Sequence, residues 1–257
     1  MPGRLFIGTA GWSIPRAFAA RCPGPGTHLQ RYGRLFRGAE INSSFYRPHA
    51  AGTYAKWASC TPAGFQFAVK VPRLITHEFE LRRARAALER FLAETAGLQA
   101  SRGPLLVQLP GSHVFDARVT ARFFELLRSC HDGAVVCEPR HASWASAGAD
   151  ALLTRYQVAR VAADPARAPG LDRPGGWPGL AYYRLHGSPV MYWSRYDGAF
   201  LDAVAASLRS VASTVDAWCI FDNTASGAAM ENARDLQLRF DQDPPPSLQP
   251  RPPRPAR

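Results

Sequence analysis

Three pairs of polar residues, each two positions apart, close short apolar runs: Glu40 with Asn42, Glu138 with Arg140, and Arg184 with His186. Side chains two apart on a strand point to the same side, so each pair can project together. Carboxylate, guanidinium, imidazole and amide are the groups that hold anions and move protons. Lys70, Gln108, Asp164 and the Asp222-Asn223 pair end or follow four more apolar runs. Charge at the ends of apolar strands is costly unless it is paired or used, so the set reads as one site. The alternative is a group of internal salt bridges, Glu138–Arg140 with Glu40–Lys70 or Glu40–Arg184, that merely closes the structure there.

Lys70 stands out by composition. The chain carries 31 lysines and arginines, and Lys56 and Lys70 are its only lysines. An amine at a strand end can serve as a point charge for phosphate or, tuned by burial, as a nucleophile. His186 suits acid/base chemistry near neutral pH. His77 follows the same strand as Lys70, whereas His28, His113 and His131 read as surface or core. Aromatic residues follow several strand ends: Trp12, Phe45, Tyr46, Trp144, Tyr192, Trp193 and Tyr196. They can stack on a sugar or base, or pack loops over the site. The catalytic set expected from this pattern is Glu40, Lys70, Glu138 and His186. The ligand-binding set is Trp12, Asn42, Tyr46, Gln108, Arg140, Trp144, Asp164, Arg184, Tyr196 and Asn223. No H-x-H, H-E-x-x-H or closely spaced carboxylate cluster occurs, so no metal ligands and no cofactor are assigned. A divalent metal on Glu40, Glu138, Asp164, His186 and Asp222 is compatible with the residue types alone.

The elements that must position these residues are eight apolar runs: 4–10, 38–42, 65–70, 104–109, 134–138, 158–163, 180–186 and 217–222. Helical patterns lie at 77–98, 116–130, 197–211 and 226–240, with Asp116 as an N-cap. Strands separated mostly by helices predict parallel βα units. Eight such units before residue 240 predict a single (β/α)8 TIM barrel, whose sites lie at the carboxyl ends of its strands. An open doubly wound sheet is disfavoured, because no G-x-G-x-x-G follows the first strand. The 164–179 connection shows no helical pattern. Residues 241–257 hold seven prolines in 17 positions and predict a disordered tail after the 1–240 domain.

The 257 residues are 46% hydrophobic, enough for one sizeable core. Neither an apolar stretch of membrane-spanning length nor a signal-peptide pattern is present, which predicts a cytoplasmic protein away from membranes. Five scattered cysteines fit buried thiols better than disulfides or zinc. The formal charge of +11 favours an anionic ligand or nucleic acid, although an arginine-, alanine- and proline-rich composition also follows from coding bias. Oligomeric state is not legible.

Taken in order, "IGTAGWS", "EINSSFYRPH", "TYAKWASCTPAGFQFAVKVPRLITH", "LLVQLPGS", "CEPRHASW", "YYRLHGS", "RYDG" and "FDNTASGAAMENA" resemble the YecE-like family, also called domain of unknown function 72. The resemblance runs from about Ile7 to Leu236 and implies a TIM barrel, with no established reaction. Its barrel is similar, at fold level only, to endonuclease-type and sugar-isomerase barrels. Their metal-ligating histidines and carboxylates have no evident counterpart here. Where the family usually has an asparagine pair, this chain reads "FDNT", so Asp222 is taken as a substitution and Asn223 as the ligand-facing residue. The combined expectation is an enzyme acting on a small anionic sugar- or nucleotide-like molecule by acid/base chemistry. The alternatives are a nucleic-acid-binding protein and a metal-assisted phosphoesterase.

Overall fold

The computed structural model describes residues 3–241, and these form a closed parallel barrel ringed by helices. The strands are β1 (Leu5–Thr9), β2 (Gly38–Ile41), β3 (Gln66–Lys70), β4 (Arg102–Gln108), β5 (Val135–Glu138), β6 (Val158–Arg160), β7 (Ala162–Asp164), β8 (Gly175–Gly176), β9 (Leu180–Leu185) and β10 (Asp216–Phe221). One sheet runs β1-β10-β9-β7 and the other β2-β3-β4-β5-β6-β8. Two seams join them. Ala10 bridges to Glu40, where the Gly11 amide donates to the Glu40 carbonyl at 2.8 Å. The other seam is the run expected as one strand over 158–163, which divides at Val161: β6 pairs with β5, and β7 with β9. The fold is therefore the predicted TIM barrel, with one stave changing partners partway. The helix-free connection after Asp164 holds only β8, antiparallel to β6.

The helices are α1 (His28–Tyr32), α2 (Ala51–Ser59), α3 (Arg85–Thr95), α4 (Ala117–Cys130), α5 (Ala147–Arg155), α6 (Gly198–Ala212) and α7 (Ala228–Asp241). Asp116 and Asp197 cap α4 and α6 by accepting from amides of the first turn. The expected helix over 77–98 is shortened to α3. A π-helical turn covers Leu74–Glu78, and Glu80, Leu81 and Arg83 have φ of 47°, 67° and 51°. Those left-handed residues cannot belong to a right-handed helix. They turn the chain so that Leu81 and Ala84 are buried, so tertiary packing overrides helix propensity. Helices α1, α2 and α5 span only a few turns at most, too short for sequence periodicity to declare them. The tail reading falls on 242–257, outside the described residues, apart from Asp241, which ends α7.

Strand alternation splits the core in two. Outward-facing residues pack against the helices; inward-facing Phe6, Ala68, Leu106, Val136, Ala159, Val161, Leu180, Tyr182, Trp218 and Ile220 fill the barrel. The Phe6 and Tyr182 rings lie on the Trp218 indole at 4.5 and 5.9 Å. Gly38 and Gly103 make room for that indole, since a Cβ would lie 3.1 and 2.9 Å from its carbons. The apolar plug ends at the Tyr182 hydroxyl, and the charged layer begins immediately above it.

Candidate functional site

Each residue of that charged layer comes two positions after an inward-facing core position. Gly38 leads to Glu40, Ala68 to Lys70 and Leu106 to Gln108. Val136 leads to Glu138 and Arg140, Tyr182 to Arg184 and His186, and Ile220 to Asp222. Because the barrel strands are parallel, all of these carboxyl ends meet at one rim.

Arg184, with no solvent exposure, is the centre. Its Nε and Nη2 donate to the two oxygens of Glu40 at 3.0 and 2.7 Å. Its Nη1 donates to Glu138 Oε2 at 2.6 Å, and Nη2 also to Asp222 Oδ2 at 2.9 Å. Glu40 accepts a further hydrogen bond from the Tyr182 hydroxyl at 3.0 Å. His186 lies between two carboxylates, with Nδ1 3.0 Å from Asp222 Oδ2 and Nε2 2.8 Å from Glu138 Oε1. Arg140 reaches Glu138 Oε1 through Nε and Nη2, both at 3.3 Å, and donates from Nη1 to the Tyr192 hydroxyl at 3.1 Å. It also lies 3.4 Å from His186 Nε2. That nitrogen cannot accept from Arg140 while donating to Glu138, and the shorter contact to Glu138 takes precedence.

Burial drives the Glu138 carboxyl up, but Arg184, His186 and Arg140 together outweigh it and hold the group well below the usual carboxylate range. Asp222 is held down in the same way, burial being overcome by Arg184 and by the bond to His186. Two of the internal salt bridges considered from sequence therefore form, Glu138–Arg140 and Glu40–Arg184. The third does not. Lys70 has no ion-pair or hydrogen-bond partner for its ammonium among the described residues; Nζ lies over the Phe45 ring, 4.1 Å from its centroid. Burial, then repulsion by Arg184, lower this amine to about 8 against the attraction of Glu40, Glu138 and Asp222. His77 packs edge-on to Phe45 at 5.0 Å. Burial, then the charges of Lys70, Arg73 and Arg140, lower its imidazole to about 4.

Of the residues expected from sequence, Glu40, Glu138, Arg140, Arg184 and His186 are joined directly, with Lys70 beside them. Asn42 and Gln108 share the inward register. The Asn42 Oδ1 is sealed from solvent without a partner, and the Gln108 amide donates to the Leu109 carbonyl at 3.0 Å. Glu40 and Arg184 are wholly buried and saturated by their partners, so they position the other groups and do not themselves meet a ligand.

Six expected ligand contacts, Asp164 among them, lie elsewhere. Trp12 packs outside the strands against Trp57 and Phe67. Trp144 is buried with its Nε1 donating to the His113 carbonyl at 3.0 Å. Tyr196 donates to Asp164 Oδ1 at 2.7 Å and stacks on Phe200, and this pair braces the loop after β9. Asn223 faces outward, donating to the Ser194 carbonyl and to Asn232 Oδ1 at 2.9 Å each. Tyr46 is 73% exposed and lines a groove of about 560 Å³ with Phe45, Arg47, Arg73 and Glu78, none of the Arg184-centred network among its walls.

Asp222, rather than Asn223, takes the inward position. The alternation that places Trp218 and Ile220 inside the barrel places Asp222 inside too and turns Asn223 out, so the signal was present in the period of two. Tyr192, which caps Arg140 and meets the His186 ring edge-on at 5.7 Å, sits on an irregular loop at φ 66° that no periodicity could assign.

No group of three or more histidine, cysteine or acidic side chains among the described residues is arranged to hold a metal ion. The point between Glu40, Glu138 and Asp222 is filled by the Arg184 guanidinium.

The architecture and this layer define a TIM-barrel protein with a buried, arginine-centred charge network at its mouth. The chain belongs to the family described as protein of unknown function DUF72, whose profile matches residues 6–256. It is similar to the UPF0759 protein YecE of Escherichia coli K12, at 28% identity over 108 residues; the match spans 42% of this chain and 38% of that relative's length. Among solved structures it is similar to a DUF72 family protein from Enterococcus faecalis, with a TM-score of 0.78 at 18% identity over 94% and 97% of the two chains. A DUF72 family protein from Thermotoga maritima gives 0.77 at 22% identity over 93% and 100%. The fold extends to a sugar phosphate isomerase/epimerase from Parabacteroides distasonis, with a TM-score of 0.54 at 10% identity over 95% and 98%. No helix among the described residues is long and apolar enough to cross a membrane.

Proposed function

We propose that this chain is an enzyme that binds a small anionic, sugar- or nucleotide-like molecule at the barrel mouth and moves a proton on it. One observation carries the reading: His186 is fixed between Glu138 and Asp222, directly beside the partly exposed guanidinium of Arg140. An imidazole oriented by carboxylates is equipped to exchange protons, and a guanidinium at the rim suits a phosphate or carboxylate. Arg184 supports the site by holding both carboxylates at fixed positions, so little reorganisation accompanies binding. Lys70 adds a further positive charge at the mouth from the end of β3. The likeness to an isomerase/epimerase barrel agrees with this chemistry at the level of fold alone.

The test is a thermal-shift and calorimetric screen of phosphorylated and carboxylated sugars and nucleotides against wild type, Arg140→Ala and His186→Gln. A productive ligand should stabilise wild type and His186→Gln, lose at least tenfold in affinity with Arg140→Ala, and be turned over by wild type only. A ligand that stabilises all three proteins equally would place binding outside the mouth. A second reading, single-stranded nucleic acid, is favoured by exposed rings on loops after β2 and β9, Tyr46 at 73% and Trp193 at 58%. It predicts binding that weakens steeply with salt and survives His186→Gln.

A further inference from the structure

We propose that Lys70 is a covalent nucleophile, forming an imine with the carbonyl carbon of an aldehyde, ketone or 2-oxo acid bound at the mouth. The proposal builds on the anion-binding reading above but stands on separate geometry. Lys70 ends β3 on the inward face and is 5% exposed. Three carboxylates share its layer, yet each is engaged by Arg184, and two of them also by His186. None lies within ion-pairing distance of the Lys70 amine. A lysine buried for structural reasons takes a carboxylate partner, because an unpaired buried ammonium is destabilising. This one does not. No hydrogen bond engages its Nζ among the described residues, and the side chain keeps a small opening to solvent, 5% exposed. The Phe45 ring beneath Nζ fixes its position and excludes water on one side.

The electrostatic surroundings agree. The groups acting on Lys70 are Arg184, Glu40, Glu138, Asp222 and the nearby His77. Burial and Arg184 prevail over the three carboxylates, and an amine lowered to about 8 keeps a usable neutral fraction at pH 7. The cation–π contact with Phe45 favours the charged form and limits the fall.

In the step, the neutral amine adds to the carbonyl carbon, and the carbonyl oxygen takes up a proton to give a carbinolamine. The nitrogen lone pair then expels that oxygen as water, leaving the imine. Amine plus carbonyl become imine plus water, and hydrolysis returns both. Once protonated, the imine withdraws electrons from the adjacent carbon. A proton on that carbon, or a bond to it, is then labile to a base such as the His186–Glu138 pair.

The chain is suited to the test, because Lys56, solvated on α2, is its only other lysine. Full-length protein is incubated at pH 7 with pyruvate, glyceraldehyde or propanal and sodium borohydride, then mapped by mass spectrometry. Reduction of the imine leaves a stable secondary amine. Lys70 should be modified at least tenfold faster than Lys56. Lys70→Arg, which keeps the charge, and Lys70→Met should lose that adduct and leave Lys56 labelling unchanged. Equal labelling of the two lysines, or labelling of Lys56 with Lys70 untouched by all three probes, overturns the proposal. The two readings fail separately. If anions bind through Arg140 while Lys70 stays unmodified, only the imine is wrong. If propanal labels Lys70 while Arg140→Ala leaves pyruvate labelling unchanged, only the anion site is wrong.

Discussion

Arg184→Met tests the central claim that one guanidinium bridges three buried carboxylates. The substitution keeps roughly the side-chain volume and removes the partner of Glu40, Glu138 and Asp222, all bound at 2.6–3.0 Å. Removing one member of a buried ion pair costs about 3–5 kcal/mol, mostly because the remaining charge is stranded. Here Glu138 keeps Arg140 and His186, Asp222 keeps His186, and Glu40 is left with the Tyr182 hydroxyl alone. The penalty therefore falls mainly on the one carboxylate left without a cation, and it is limited because that group can take up a proton. About 4 kcal/mol at pH 7 is the expected loss, a fall in Tm of about 8–16 °C at about 2–4 °C per kcal/mol.

The pH dependence is the sharper signature. In wild type, Glu138 and Asp222 titrate lower folded than unfolded. Their contribution is therefore present above the unfolded values, near pH 4, and lost as pH falls through the folded ones. In wild type, lowering the pH from 7.5 to 5.5 should lower Tm, because His77 and His131, both lowered to about 4, resist the proton that unfolded histidine takes up. In Arg184→Met a buried carboxyl left without its guanidinium titrates higher folded than unfolded, so its Tm should fall less than wild type's over the same range. Calorimetry across that range decides it. A loss under about 1 kcal/mol with a wild-type pH profile would show that the layer is hydrated and the network energetically idle.

Other outcomes follow from the same geometry. Lys70→Met should raise stability by up to about 3 kcal/mol at pH 7, since it removes an unpaired buried amine whose lowering to about 8 reports that penalty; denaturant titration that shows a loss instead would mean Lys70 has a structural partner. Tyr182→Phe removes the hydroxyl that donates to Glu40 and should cost about 1–3 kcal/mol without altering ligand specificity, as read from urea melts and binding isotherms. Trp144→Phe, which leaves the buried His113 carbonyl without its donor, should cost a similar amount and leave ligand affinity at the mouth unchanged. His77, lowered to about 4, should show nitrogen chemical shifts of a neutral imidazole that do not change between pH 5.5 and 8.

Much of the barrel was legible in the chain because strands and amphipathic helices are written in local periodicities. Seven of the eight runs form single strands near their expected bounds, and the mouth residues Glu40, Lys70, Glu138, Arg140, Arg184 and His186 follow from alternation alone. The aromatic residues do not. Trp12 and Tyr196 lie on irregular loops and Trp144 on a single 3-10 turn, where side-chain direction depends on what the segment packs against. Asp222 shows the opposite failing: resemblance favoured Asn223, whereas the period of two pointed to Asp222.

By itself, then, the sequence determined the repeating units and which residue types reach the carboxyl ends of the strands, because both depend on spacing along one chain. Only the tertiary structure decided which charges meet. Glu40 and Arg184 are 144 residues apart, and no local pattern says that Arg184, rather than Lys70, takes the carboxylates. Barrel closure brings β2 and β9 across the same interior, where the guanidinium's planar fork satisfies several oxygens that a single ammonium could not. That choice leaves Lys70 on Phe45 with no ion-pair partner among the described residues, the feature on which the imine chemistry rests.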